Sequence, residues 1–362
     1  MLPLIIYFQY EAPAFSFLAN VAAVPLATCA FTLAFLLIFL PYTVFHEAIS
    51  WMIQGVLWIS RQSYGMLTIG HVPFLWVLLF YFMTGLWIWK KNGQNRHIRI
   101  SLAYVIMIIL IWIPMARRKS LAFLDVGQGD CFVADTKSGA IIFDGGSSSE
   151  DQVGRYRILP YMKYLGYQKI QIAVISHMDI DHYSGIKELL EMGKIKYLGL
   201  PEIPKDETMK KIIGIAKKRG TTIFYLSRGR QITTKDGSLK VLHPQKNSQM
   251  EKNAASLVMQ GKILGYRVLL TGDVEKEGEE ELLSEELERA DILKAAHHGS
   301  KNSTSNEFLQ KVQPKQTVIS CGKQNRYGHP HLETIHRLQT YHTKIYRTDR
   351  SGAIIFFKRR DG

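Results

Sequence analysis

The chain predicts two unlike parts: an α-helical transmembrane segment over residues 1–116, then an α/β sandwich over 117–362 in which two sheets pack face to face between helical layers. Three observations carry this. Up to Ala116 there are only five basic residues (Arg61, Lys90, Lys91, Arg96, Arg99) and two acidic ones (Glu11, Glu47), so 40 of the 45 basic and 29 of the 31 acidic residues follow. The early part holds long uncharged runs, and the later part alternates short apolar strands with helices. Several of those strands end in turns rich in His and Asp.

In chain order, Met1 to Tyr10 is apolar but has neither the basic start nor the small-residue cleavage site of a signal peptide. Phe17 to Leu40 is 24 residues without a charge, enough to cross a hydrocarbon core of about 30 Å even with Pro25 inside it. Val72 to Trp89 adds 18 such residues and Ile100 to Ala116 adds 17, the last helped by snorkelling of Arg99 and Arg117. Three spans are expected. Between the first two, Phe45, Ile49, Met52, Ile53, Val56 and Leu57 recur at helical spacing against His46, Glu47, Ser50 and Gln54. This pattern predicts an amphipathic helix over Tyr42 to Arg61 lying along the bilayer surface. The basic loop Lys90 to Arg99 favours a cytoplasmic side there, placing the soluble domain on the outer face of the plasma membrane, although Arg117, Arg118 and Lys119 pull the other way.

The 246 residues that remain can bury one α/β core. Leu121–Val126, Cys131–Asp135 and Ala140–Phe143 read as strands joined by Gly-rich turns, the start of an antiparallel arrangement. Arg155–Leu165 reads as a helix, Ile172–Ser176 as a buried strand, Gly185–Glu191 and Asp206–Arg219 as helices. Strands recur at Thr222–Leu226, Leu239–His243, Ser256–Gln260 and Arg267–Leu270, and two helix–strand blocks follow, ending at Ala296 and Ser320. Cys29, Cys131 and Cys321 form neither a disulfide framework nor a CxxC pattern, which excludes a cysteine-built metal finger. The soluble part carries a net charge of +11, a balance suited to polyanionic partners.

The chemistry centres on Val174-Ile175-Ser176-His177-Met178-Asp179-Ile180-Asp181-His182. Two imidazoles and two carboxylates follow a greasy strand, and no basic residue lies between Gln171 and Ile186 to offset them. Divalent metal is the natural compensation. Later strand ends supply Thr271-Gly272-Asp273, His297-His298-Gly299-Ser300 and Gly328-His329-Pro330-His331. Asp125 and Asp130 sit in a Gly turn for which holding the turn together is as good an explanation as catalysis. His243, His336 and His342 read as ordinary surface or core histidines. Lys205, Lys210, Lys211, Lys217, Lys218, Arg219, Arg228 and Arg230 form either a wall for nucleic acid or a solvated helix face.

Those motifs, together with Asp125-Val126-Gly127-Gln128-Gly129-Asp130, Asp144-Gly145-Gly146 and Asn253 with Ser256-Leu257-Val258, make the chain from about Leu121 onward resemble a metallo-β-lactamase-fold domain. The resemblance is to the kind fused to ComEC-type DNA-internalisation competence proteins. The membrane part, through Phe17-Leu18-Ala19-Asn20 and Val24-Pro25, is similar to the end of that family's channel domain; the family's front soluble domain and earlier helices are missing. The resemblance implies an αββα fold with two divalent ions, His177 and Asp179 on one, Asp181 and His182 on the other, and Asp273 bridging. It leaves open whether His297 or His298 faces the metals, and whether His329 is a ligand or a phosphate contact. Asp181, His298 and His329 are the expected catalytic residues, and Asp144 orients a ligand. Ser300, Gly127 and Gly129 could offer donors to phosphate. Most members of the wider fold carry His where Asp179 stands, and Asn253 occupies a position often held by His. Oxygen in place of imidazole shifts preference to harder ions, hence manganese before zinc or magnesium.

The implied function is DNA uptake in natural competence: a nuclease domain degrades one strand while the other is transported, with DNA, the lipid bilayer and other DNA-uptake proteins as partners. Two rivals are a membrane-anchored metallo-hydrolase for a small-molecule or cell-wall substrate, and a truncated remnant that does not transport.

Overall fold

In the structure, a computed structural model, residues 2–13, 16–39, 43–61, 65–89, 101–102, 105, 118–250 and 253–359 are described. The chain divides into two compact units, Met1–Pro114 and Met115–Gly362.

The first unit contains helices Leu2–Gln9, Ser16–Leu36, Thr43–Arg61 and Phe74–Trp89, and a two-stranded antiparallel ribbon of β1 (Glu11–Pro13) and β2 (Met66–Thr68). Among the described residues one helix is long and apolar enough to cross a membrane, through its stretch Ala19–Leu36. The expected second span forms a helix, but its apolar stretch Phe74–Leu86 is short. Most of the expected third span, Ile100–Ala116, and the loop Lys90–Arg99 lie outside the described residues. Thr43–Arg61 is helical where the amphipathic helix was expected, with Trp51 and Trp58 exposed.

The second unit holds two seven-stranded sheets. The first comprises β3 (Ser120–Phe123), β4 (Phe132–Thr136), β5 (Gly139–Phe143), β6 (Ile170–Val174), β7 (Ile195–Pro201) and β8 (Thr222–Leu226). The second comprises β9 (Gln231–Thr234), β10 (Gly237–His243), β11 (Val258–Ile263), β12 (Tyr266–Leu270), β13 (Ile292–Lys294), β14 (Gln316–Ile319) and β15 (Lys344–Arg347). The last strand, β16 (Ile354–Phe357), returns to the first sheet beside β3. The two sheets share one plan. Each runs antiparallel through its first four strands (β16-β3-β4-β5 and β9-β10-β11-β12) and parallel through the next three (β6-β7-β8 and β13-β14-β15).

Period-two alternation sorts each strand's side chains into layers. Leu121, Phe123, Phe132, Ile141 and Phe143 meet Val241, Met259, Val268, Leu270 and Ile292 between the sheets. Ala122, Val133, Ile142 and Ala173 turn outward against Ile158, Met162, Ile186 and Leu189 of the covering helices. On the far side Leu269, Leu293 and Ile319 pack on Phe308, Leu309 and Leu338. The expected αββα order is therefore present, and the carboxyl ends of β5, β6, β12, β13 and β14 open into the loops that carry the His and Asp residues.

One boundary differs where it matters. The helix expected from Gly185 begins at Ile180, so Asp181 and His182 occupy its first turn. Strands β7, β9, β15 and β16 and the helix Leu332–Thr340 lie in stretches for which no element was expected.

Candidate metal centre

The turn after β6 is held by Asp144, which stands at the end of β5 in a left-handed conformation (φ 57°). Its Oδ1 accepts the Ser176 N–H at 2.7 Å, and its Oδ2 lies 3.0 Å from His182 Nδ1. That contact assigns the proton to Nδ1 and turns His182 Nε2 toward Asp273 Oδ2, 3.2 Å away. His298 repeats the arrangement: its Nδ1 donates to the Ser320 carbonyl at 3.0 Å, and its Nε2 lies 3.3 Å from both Asp181 Oδ2 and Asp273 Oδ2. His177 packs Nδ1 against Ser176 Oγ at 3.0 Å, with Nε2 3.6 Å from Asp179 Oδ2. His297 reaches Asp273 Oδ2 with Nε2 at 3.8 Å, while its Nδ1 pairs with Glu275 at 2.8 Å. The His329 ring stands 5.5 Å from that of His297 and 6.2 Å from that of His298.

All seven expected metal-site residues and His329 thus gather at one sheet edge. The residues left as alternatives part company: His298 is buried inside the group, whereas His297 is partly exposed at its rim. Both, with Gly299, take positive φ (47°, 53° and 83°), a left-handed turn that swings two adjacent imidazoles toward one carboxylate. Such backbone is sparsely populated by residues other than glycine and concentrates at functional sites.

The donor set suits a divalent ion. His177 Nε2, His182 Nε2, His298 Nε2 and His329 Nδ1 are buried without a hydrogen-bond partner, a costly arrangement for polar atoms with nothing to bind. Asp130, His182, Asp273 and His298 each offer an atom, and these all lie within 4.8 Å of one another. Electrostatics agrees. Burial alone would depress His182 and His298, but Asp273 and its neighbouring carboxylates outweigh it and hold both well above the ordinary histidine range. The site therefore calls for positive charge, which a divalent ion meets with the imidazoles neutral. His329 differs: burial and the adjacent His298 and His297 push it down to about 4.

Asp125 accepts the Gly127 N–H at 3.2 Å, so that amide is committed to the turn and is not a free phosphate donor, contrary to expectation. Ser300 Oγ accepts the Asn302 N–H at 3.3 Å, a contact that does not use its own O–H donor. Asn253 contributes its carbonyl to the Ser256 N–H at 3.0 Å, and among the described residues no side-chain contact joins it to the cluster. His243 is a core residue whose Nε2 donates to the Ala254 carbonyl at 2.7 Å. Arg228 pairs with Glu281 and Glu285 at 2.7 and 2.8 Å, which removes it from the expected basic wall.

Two residues were underweighted in the sequence. Asp130 joins the cluster, its N–H donating to the Asp181 carbonyl at 3.0 Å. Lys294, passed over entirely, lies buried between Asp130 and Asp273, with Nζ 3.3 Å from Asp273 Oδ1. Its signal was available: a charge sharing the inward face of a three-residue buried strand with Ile292.

Two paired sheets between helices, with imidazoles and carboxylates converging where their strands end, define an αββα scaffold with a candidate site for divalent metal. The chain belongs to the metallo-β-lactamase superfamily, whose family profile matches residues 124–323. It is 34% identical over 294 residues to ComE operon protein 3 of Bacillus subtilis, covering 75% of this chain and 38% of that protein. It is 30% identical over 248 residues to Competence protein ComA of Neisseria gonorrhoeae, covering 66% and 32% respectively. A third relative, Recombination protein 2 of Haemophilus influenzae, is 27% identical over 268 residues, 73% of this chain and 32% of that protein. The chain thus spans about a third of the length of these relatives, one of which is named as a competence protein.

Proposed function

We propose that this chain is part of a membrane protein of DNA uptake, and that its sandwich domain is a metal-dependent phosphodiesterase that degrades one strand of incoming DNA while the other is transported. The observation that carries the reaction class is the convergence of imidazole Nε2 atoms on Asp273 Oδ2, with Asp181 and Asp179 beside them. Likeness to competence proteins supports the substrate and the setting.

In this reading His177 and Asp179 would hold one ion, Asp181, His182 and His298 would hold the other, and Asp273 would serve both. When bound, such a pair supplies a hydroxide near neutral pH and draws charge from the phosphoryl oxygens. Asp144 keeps His182 in the tautomer that presents Nε2. The Ser320 carbonyl does the same for His298. His329, half-buried at the rim with its Nδ1 unpartnered, is placed to contact the phosphate of a bound strand. His297, with Nδ1 2.8 Å from Glu275 Oε1, stands partly exposed at the rim. Asp179 makes manganese the favoured ion over zinc or magnesium. The protein is read as a multi-pass component of the plasma membrane, anchored through Phe17–Leu40, Val72–Trp89 and Ile100–Ala116, with its sandwich domain on the outer face and other DNA-uptake proteins as partners.

The test is cleavage of single- and double-stranded DNA by the full chain in detergent, with manganese, magnesium or zinc. An Asp181→Ala control is expected to lose activity. Hydrolysis of a lactam or thioester with no action on DNA would replace this reading with that of a small-molecule hydrolase.

A further inference from the structure

Lys294 is the feature that the reaction scheme leaves unused. It ends β13 on the face that looks between the sheets, and its ammonium makes three contacts there: the Gly272 carbonyl at 2.8 Å, Asp273 Oδ1 at 3.3 Å, and Asp130 Oδ2 in direct ion-pair contact. The contacts to Gly272 and Asp273 are hydrogen bonds and the one to Asp130 is an ion pair. Beside the ammonium lies a gap of about 10 Å³, room for at most about one water, lined by Phe123, Phe132, Phe143 and Leu270 together with Asp144 and Ser320. Asp130 lies in the β3–β4 turn of the first sheet and Asp273 at the end of β12 in the second, so this one ammonium bridges the two halves of the sandwich directly behind the candidate metal centre.

We infer that Lys294 is a positioning residue, a built-in cation that withholds Asp130 and one oxygen of Asp273 from the metal ions. Geometrically Asp130 belongs to the group that could hold a metal; chemically it is already committed to the ammonium. With Oδ1 of Asp273 occupied, only Oδ2 remains to face the imidazoles, and it is Oδ2 that His182 and His298 approach.

The inference rests on the metal-centre reading but not on DNA as substrate. Its test is manganese affinity of the full chain in detergent, measured by titration calorimetry on three variants. Lys294→Met exposes Asp130 and the second Asp273 oxygen to the ions and should tighten binding, by on the order of tenfold for a supporting group of this kind. Asp130→Asn leaves the ammonium uncompensated beside the ions and should weaken binding by a similar factor. The double variant should return to within a few-fold of wild type. It also removes the ion pair as a unit, so it stays informative where the single lysine variant fails to fold. A double variant as weak as Asp130→Asn would make Asp130 a true ligand and overturn the inference, as would wild-type affinity in all three. Absence of manganese, magnesium and zinc binding by the wild-type chain would instead overturn the metal-centre reading itself.

Discussion

Asp144 and His182 are locked together across the first sheet. The carboxylate Oδ2 sits 3.0 Å from His182 Nδ1, while Oδ1 takes the Ser176 N–H at 2.7 Å, so one side chain fixes both the imidazole and the start of the turn that carries it. Replacing Asp144 by Asn keeps the size but frees the tautomer of His182. Metal affinity should fall by about 10–100-fold, with the fold retained; calorimetric titration with manganese alongside circular dichroism checks both.

The adjacent histidines should differ sharply. His298 is buried with Nε2 3.3 Å from two carboxylates, whereas His297 approaches one at 3.8 Å and is tied to Glu275. His298→Ala is expected to lose most metal affinity. His297→Ala should retain it within a few-fold and lower turnover instead. Reversal of that order would exchange their roles.

A pH effect on stability should come from Asp236, in the turn between β9 and β10. Burial would raise its carboxyl, but the Lys137 N–H at 2.6 Å and the Lys358 ammonium at 3.2 Å outweigh this and hold it below the ordinary carboxylate range. The folded protein thus binds its proton less readily than the unfolded chain. The contribution is complete above the usual carboxylate pKa and is lost as pH falls through the depressed folded value. Asp236→Asn should flatten the acid limb of a plot of Tm against pH and leave neutral behaviour with a constant offset.

The helix Glu207–Lys218 buries Met209, Ile212 and Ala216 and leaves Lys211, Lys217, Lys218 and the following Arg219 in solvent. If this face tracks a nucleic-acid backbone, charge reversal at Lys211, Lys217 and Lys218 should reduce the slope of log affinity against log salt for single-stranded DNA by about 0.7 for each lost phosphate contact. An unchanged slope, read by fluorescence anisotropy, marks the face as merely solvated.

Much of this architecture was legible because buried strands between helical layers need apolar runs, and Ile170–Val174, Tyr266–Leu270 and Gly139–Phe143 supply them. Strand β15, Lys-Ile-Tyr-Arg, was missed because an edge strand needs no second apolar face. Strand β16 was missed because its partner β3 lies at the far end of the domain's sequence. Metal-type residues show in a sequence by clustering, which is how His177 to His182 stood out. A charge on the inward face of the short strand Ile292–Lys294 hints at a buried partner, but that the partner is Asp130 of the other sheet required the fold. The left-handed turn at His297 and His298 was equally silent, since nothing in an Ala-His-His-Gly stretch announces positive φ at the histidines.

The central claim is a metal centre built on Asp273 and its imidazoles, and its most direct test is the metal content of the full chain purified after loading with manganese. Two ions per chain in wild type, with marked loss in Asp273→Asn and Asp181→Ala at unchanged circular dichroism, is the predicted result. A wild-type chain that retains no more manganese than those variants would contradict it.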